Sequence, residues 1–488
     1  MQTLPDLKQL SHAQKDELIV LLWAQVQSLT VQVVALQKEI AELKRRLGLN
    51  STNSSKPPSS DGPKKPKPKS LRKAGKKRSG GQPGHPGATL NAVPDPDHIE
   101  LHAPPEQCDV CQRRLPRVDA HDVAETRQVF DLPPVRMEVT EHRVLQTQCR
   151  CGKLHRGQFP AHVTANVQYG PLALAAMVYL NQQHMLPVQR TTHLLTDFLG
   201  VPVTQATVIK ACQEARERLQ PTVNAIAEAL LAAPVLHADE SGLRVNKKLH
   251  WLHVLATPTL TWMRRHNKRG RAAFVDFDIL PHFEGTLIHD GWAPYRSLEC
   301  KHGLCNAHHL RELTYVFEEY DNQAWAGDMI KLLTRANHAN NLALKNNPAR
   351  DVTSTHHQRE LKRWRAKYNA ILRKGVAANP PSLITPGARG RIGQSKPHNL
   401  LRRLREHMDD VWRFMSEPGV PFTNNVAEQA VRMPKVKQKV SGCFRTTDGA
   451  DTFCVIRSYL ATLHKQGQNL FNALTETFRG CPVQPRWD

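Results

Sequence analysis

Acidic residues are scarce in this chain of 488 residues. It has 44 Asp and Glu against 67 Lys and Arg, which gives a formal net charge of +23. An excess of this size indicates a polyanionic partner, because clustered cations release counterions from a phosphate backbone. The apolar fraction of 40% and charged fraction of 23% exclude a collagen-like or wholly disordered chain.

Long hydrophobic runs are also lacking, and from residues 1–8 we expect no secretory leader. The longest apolar stretches, Leu18–Val26 and Leu172–Leu180, fall short of the roughly 18 residues that a spanning helix needs. We therefore expect a cytoplasmic protein with no membrane partner. Because disulfides are rare in the cytoplasm, the ten cysteines indicate metal ligands and buried thiols.

Residues 1–48 carry a heptad repeat that predicts a leucine-zipper coiled coil. β-Branched residues mostly occupy one core position and leucine the other, a combination that favours two parallel strands. The two sets are Ile19, Val26, Val33, Ile40 and Leu47, and Leu22, Leu29, Leu36 and Leu43. Self-association through this helix is the prediction, and a single amphipathic helix packed on its own domain is the alternative.

Residues 49–95 predict a disordered basic linker. Ten Lys and Arg against one acid lie between Lys56 and Arg78, and such a segment buries too little apolar surface to fold alone. It either contacts DNA phosphates or only spaces two domains. The proposed phosphate contacts are Lys64, Lys65, Lys67, Lys69, Arg72, Lys73, Lys76, Lys77 and Arg78.

Residues 96–160 contain two close cysteine pairs that predict a zinc-ribbon-like module. Cys108 and Cys111 have the usual two-residue spacing, whereas Cys149 and Cys151 are separated by one residue. Four thiols suit the tetrahedral coordination of structural Zn²⁺. His155 could replace a thiol of the second pair, and four unrelated thiols are the alternative.

The remainder predicts a multidomain α/β protein. Residues 165–232 are helical and are taken as a DNA-binding or pre-catalytic region. In residues 233–450 the pattern gives three strands, a helix, two strands and a helix, which is the order of a ribonuclease-H-like sheet. A helical insertion at about 318–418, with seven cations between Arg359 and Lys374, is either a DNA clamp or a solvated face. Residues 451–488 predict a C-terminal helical element.

Acidic residues follow two of these apolar strands. Asp239 and Asp290 are each expected at a strand end, and Glu428 is expected on a helix with Thr423 as its N-cap. Arg432 and Lys435 share the helix face of Glu428. Three carboxylates suit Mg²⁺ or Mn²⁺, although strand-end acids often only cap loops and the helix spacing also fits surface salt bridges.

The segments around these acids are HADESG (237–242), LIHDGWAPYRSL (287–298) and TNNVAEQAVRMPK (423–435). Together they resemble the DDE transposases of bacterial insertion sequences, most closely the large transposase subunit of the insertion sequence 66 family. The resemblance extends to the zipper, the SSKPPSSDG linker, the GGQPGHPG stretch and the cysteine-rich module. It implies a DNA transposase in which Asp239, Asp290 and Glu428 are the catalytic, metal-binding triad.

Further roles follow from the resemblance. Cys305 and His308 resemble a Cys-x-x-His element at a strand-to-helix turn. A second zinc site that also uses Cys300 and His302 is left open. Glu428 and Lys435 resemble the second half of a Tyr-Arg-Glu-Lys signature found in some relatives. The Tyr and Arg positions of that signature hold Pro421 and Asn424 here, so the resemblance gives a phosphate-binding role only to Lys435, with Arg432. Partners would be double-stranded DNA (element ends and target) and small accessory proteins, with the protein held on the nucleoid by DNA.

We therefore predict strand cleavage and strand transfer with two metal ions that activate water and then the freed 3′-hydroxyl. The alternative is a non-catalytic zinc-finger and zipper regulator that binds DNA. A third possibility is a nuclease of the ribonuclease-H type, which needs the three acids but no pairing of DNA ends.

Overall fold

The computed structural model describes residues 11–47, 49, 53, 90–117, 119, 123–132, 137–160, 163–200, 203–382 and 393–487. The chain forms two compact units. One comprises residues 1–68, 143–193 and 203–488, and the other residues 69–142 and 194–202. The predicted phosphate contacts between Lys64 and Arg78 lie outside the described residues.

Helices dominate the described part of the chain. They are α1 (His12–Leu47), α2 (Pro171–Val178), α3 (Val188–Leu199), α4 (Gln205–Leu231), α5 (Arg271–Phe277), α6 (Asn306–Glu319), α7 (Ala324–Asn346), α8 (Thr355–Ala378), α9 (Lys396–Glu406), α10 (Met408–Ser416), α11 (Asn425–Ser441), α12 (Thr447–Lys465) and α13 (Leu470–Arg479). The strands are β1 (Gln146–Gln148), β2 (Leu154–Arg156), β3 (Val235–Val245), β4 (Lys248–Ala256), β5 (Thr261–His266), β6 (Thr286–His289) and β7 (Lys301–Leu304).

Five strands form one mixed sheet in the order β5-β4-β3-β6-β7. β3, β4 and β5 pair antiparallel, and β3, β6 and β7 pair parallel. The mixed α/β class and the predicted order of elements are confirmed. Asp239 is not at a strand end, however, because β3 continues to Val245 through its pairing with β4. The helix between β5 and β6 ends at Phe277, where Asp278 has a left-handed backbone with φ of 56°.

Both edges of this sheet are covered by helices. Ser458 and Thr462 of α12 accept hydrogen bonds from the backbone of β5, at 2.8 Å from Met263 and 2.9 Å from Thr261. At the other edge, Arg413 of α10 donates to the backbone oxygen of His302 in β7. Covered edges do not offer free backbone groups to other chains. The boundary expected between residues 450 and 451 falls inside α12, which is part of this packing.

Two hydrophobic cores hold the sheet between helices. One joins β3, β4 and β5 to α11 and α12 through residues such as Val254 and Cys454. The other joins β6 and β7 to α6–α10, with Tyr368 and Trp412 fully buried. The inserted segment is thus helical, as the sequence predicts, and its helices share one core with the sheet.

α1 extends over 36 residues, and its apolar side chains are exposed. The heptad residues Leu29 and Leu36 are 59% and 57% exposed in the single chain. Among the described helices, α1 has the length and composition to cross a membrane, because an 18-residue window within it has a mean hydropathy of 1.7. Gln, Ser and Thr interrupt the apolar residues of this window. Its uninterrupted apolar runs are therefore short, although the mean hydropathy of the window is high.

Candidate active site

Asp239 and Asp290 occupy equivalent places on neighbouring parallel strands. The pairing of β3 with β6 aligns His237 with Ile288, and each acid follows two residues later. Asp290 lies just beyond β6, and one of its oxygens accepts the backbone N–H of Trp292 at 2.8 Å. Because the strands run in the same direction, the two acids lie at the same level of the sheet on adjacent strands.

α11 brings Glu428 to the same place through Asn424. The Asn424 amide donates to the backbone oxygen of Ala238 at 2.8 Å, and its oxygen lies 2.9 Å from the His237 ring. Asn424, which is 1% exposed, therefore binds the start of α11 to β3 beside Asp239. The prediction of Thr423 as N-cap is wrong: Asn424 is the N-cap residue, and its side chain binds β3 and leaves the helix N-terminus uncapped. The pair Asn424–Asn425 at the start of α11 was the sequence signal for this contact.

The negative charges of Asp290 and Glu428 act on Asp239. The pKa of Asp239 is raised to about 8, mainly by burial and then by the negative charges of Glu240, Asp290 and Glu428. A carboxyl crowded by other carboxylates holds its proton unless a cation compensates the charge. Asp239, Asp290 and Glu428 offer carboxylate oxygens, the ligands that hard divalent cations such as Mg²⁺ prefer. These residues therefore fit the Mg²⁺ or Mn²⁺ that the sequence predicts.

Glu240 lies on the other face of β3 and holds the segment that follows Asp290. Its side chain is 2% exposed, accepts the Tyr295 hydroxyl at 2.5 Å and accepts Arg269 Nε at 2.8 Å. The Arg269 guanidinium lies over the rings of Trp292 and Trp251, at 3.9 Å and 4.8 Å. We call Glu240, Arg269, Tyr295 and Trp292 the Glu240 cluster. The sequence analysis did not identify it, since nothing in the pattern pairs these residues.

Lys435 and Arg432 differ in their surroundings. Lys435 Nζ donates to the backbone oxygen of Gly242 in β3 at 3.2 Å. Burial lowers the pKa of Lys435, and the charge of Asp239 opposes that shift, so Lys435 lies near the acids. Arg432 is exposed and makes no hydrogen bond or ion pair within the described residues. The structure therefore brings Lys435, and not Arg432, to the carboxylates.

Cys305 and His308 contact the third acid. Cys305 is the N-cap residue of α6, directly after β7, so the predicted strand-to-helix turn is confirmed. Its Sγ lies 3.7 Å from Glu428 Oε1, and His308 Nδ1 lies 3.8 Å from the same oxygen. Burial and the nearby Glu428 raise the pKa of Cys305 to about 12. Cys300 is buried and lies outside this group.

The four cysteines of the predicted zinc module form two tight turns. Cys149 and Cys151 lie in the turn between β1 and β2, where Cys149 N–H donates to Lys153 O at 2.8 Å. Cys108 N–H donates to Arg113 O at 2.9 Å in the other unit. Hydrogen bonds from the Cys111 and Cys151 backbones lower the pKa values of Cys108 and Cys149. Each pair therefore has donors that favour the thiolate.

The mixed α/β fold and these residues can be compared with known families. A family model described as Transposase IS66 family matches residues 166–452, which places the chain in the class of transposases. Because this match covers more than half of its residues, the chain belongs to the IS66 family of transposases. A second model, described as a family of unknown function (DUF6444), matches residues 2–91. No curated protein matches the chain.

Proposed function

We propose that this chain is a DNA transposase that cleaves the ends of an insertion sequence and transfers them to target DNA. Its catalytic, metal-binding residues would be Asp239, Asp290 and Glu428. The observation that carries the proposal is the convergence of the three acids: the register of β3 and β6 places Asp239 level with Asp290, and after burial and Glu240 the charges of Asp290 and Glu428 help to raise the pKa of Asp239 to about 8. The sheet order and the mixture of parallel and antiparallel strands support a ribonuclease-H-like catalytic domain.

Each residue has a distinct task in this proposal. Divalent ions, when bound, supply positive charge to the attacking and leaving oxygens of a phosphodiester. Asp239 is fixed within β3, Asp290 is oriented by the Trp292 N–H, and Glu428 is placed by Asn424. Lys435, held at the Gly242 oxygen, would neutralise a substrate phosphate beside the acids. Preorganised charge of this kind accounts for most of the rate gain in such reactions.

DNA binding and assembly would use the remaining features. α8 carries seven cations between Arg359 and Lys374, and with the basic linker and Arg432 it would contact phosphates outside the active site. The exposed heptad of α1 would pair two chains. Cys108, Cys111, Cys149 and Cys151 would bind a structural Zn²⁺. Association with accessory proteins and the nucleoid follows from the proposed activity.

The test separates catalysis from binding. D290N should abolish Mg²⁺-dependent cleavage of DNA that carries the inverted repeats flanking the gene, while binding of that DNA stays almost unchanged. The matched control is E284Q, which removes an exposed acid at the opposite end of β6 from Asp290 and should cleave normally. Binding without any Mg²⁺- or Mn²⁺-dependent cleavage by the wild type would favour the non-catalytic regulator. Loss of binding in parallel with cleavage would contradict the assignment.

A further inference from the structure

Cys305 and His308 form a cluster with Glu428, and the proposed transposition chemistry gives neither the thiol nor the imidazole a role. One ligand atom from each residue lies within 4.8 Å of the others, and among the described residues this is the group that meets that condition. Thiolate and imidazole are soft or intermediate ligands that Mg²⁺ does not favour, whereas Zn²⁺ binds both. The cluster therefore differs in chemistry from the three carboxylates, although both include Glu428.

The distances fit a tetrahedral zinc ion. With ordinary Zn–S, Zn–N and Zn–O bonds, a sulfur and an oxygen ligand lie about 3.6 Å apart, and a nitrogen and an oxygen about 3.4 Å apart. The observed separations from Glu428 Oε1 are 3.7 Å to Cys305 Sγ and 3.8 Å to His308 Nδ1. A few tenths of an ångström of movement would bring these two pairs to bonded separations. The sulfur and the imidazole nitrogen lie within 4.8 Å of each other, so their approach would complete three-ligand coordination, with water as the fourth ligand.

The surroundings of the ligand atoms favour an ion as well. Cys305 Sγ accepts the backbone N–H of Asn424 at 3.1 Å and lies at the N-terminus of α6, where negative charge is stabilised. His308 Nδ1 is buried and makes no hydrogen bond within the described residues. A buried ring nitrogen without such a partner is costly, and a metal ion would satisfy it.

We propose that Cys305, His308 and Glu428 form a zinc site whose occupation withdraws Glu428 from Asp239 and Asp290 and so inhibits strand cleavage. The thiol proton passes to solvent when the ion binds, as in other zinc thiolates. The inhibition rests on the proposed function, in which Glu428 is the third acid. The binding site itself does not.

Metal content tests the site directly. Co²⁺ added to the full chain should give a thiolate charge-transfer absorption, and C305S and H308Q should each bind one ion fewer per chain than the wild type. C300S is the matched control, because Cys300 is also a buried thiol but lies at the other end of β7 and outside the cluster, and it should bind as the wild type does. Equal Co²⁺ and Zn²⁺ binding by the wild type and both ligand variants overturns the site.

Cleavage tests the consequence. Each protein's Mg²⁺-dependent rate with added Zn²⁺ is divided by its own rate without Zn²⁺, so a change in basal activity cancels. The Zn²⁺ concentration for half inhibition should rise at least about tenfold in C305S and H308Q and stay unchanged in C300S. If C305S and H308Q bind one ion fewer but are inhibited by the same Zn²⁺ concentration as the wild type, then zinc does not withdraw Glu428 from the other acids. A wild type that binds the ion but never cleaves counts against the proposed function and leaves the zinc site supported.

Discussion

Removal of one hydroxyl from the Glu240 cluster gives a sharp prediction. In Y295F the buried Glu240 carboxylate loses the hydrogen bond that it accepts at 2.5 Å. A bond to a charged group contributes about 1.5–3 kcal/mol. Since the Glu240 side chain is only 2% exposed, water does not replace the hydroxyl. We therefore expect the free energy of unfolding to fall by about 2 kcal/mol.

The same change should affect catalysis, because Tyr295 anchors the segment that orients Asp290. The Trp292 N–H that binds Asp290 lies three residues before Tyr295, and a small displacement of a reacting group is expensive in rate. We expect cleavage to slow about tenfold while binding to DNA ends is retained.

Urea unfolding followed by tryptophan fluorescence measures the first effect, because Trp251 and Trp292 flank Arg269 in the cluster. Y179F is the matched control, since the Tyr179 hydroxyl makes no hydrogen bond within the described residues. If Y295F and Y179F unfold at the same urea concentration and cleave equally fast, Glu240 does not hold the Asp290 segment.

Three further results are expected. In EDTA, folded wild-type protein keeps the Asp239 proton between pH 3.8, the ordinary pKa, and about pH 8. Its free energy of unfolding should therefore fall as the pH rises through that window. D239N should lack this fall, and parallel stability curves for the two proteins would refute the raised pKa of Asp239. N424A should lose about 3 kcal/mol of unfolding free energy by urea denaturation, because it leaves buried polar groups on β3 without partners, whereas N425A alters an exposed neighbour and should lose little; equal losses would refute the role of Asn424. L29D should convert a dimer to a monomer in sedimentation experiments, whereas V31D, outside the heptad core, should not; identical behaviour would exclude the zipper.

The strands and the two sheet acids could be predicted because their signal is local. The apolar segments before Asp239 and Asp290 are short and strand-like, and parallel pairing then places both acids together. The extent of β3 beyond Asp239 was missed, because its outer half is defined by pairing with β4 and not by an apolar run.

The supporting contacts could not be predicted, because they join distant parts of the chain. Asn424 contacts His237 across 187 positions, and Cys305 contacts Glu428 across 123. Local periodicity carries no information on such pairs, and a buried Asn or Cys has many possible partners. The heptad of α1 was visible in the sequence, but its expected partner is a second chain, so a single chain leaves those residues exposed.

The central claim is that three acids far apart in the sequence form one cation site. Mn²⁺ binding by the full chain, followed by electron paramagnetic resonance, tests it most directly in D239N, D290N and E428Q, with E284Q as the control. The account predicts that each of the three substitutions weakens Mn²⁺ binding at least about tenfold and that E284Q binds as the wild type does. Wild-type Mn²⁺ affinity in any one of the three would contradict it.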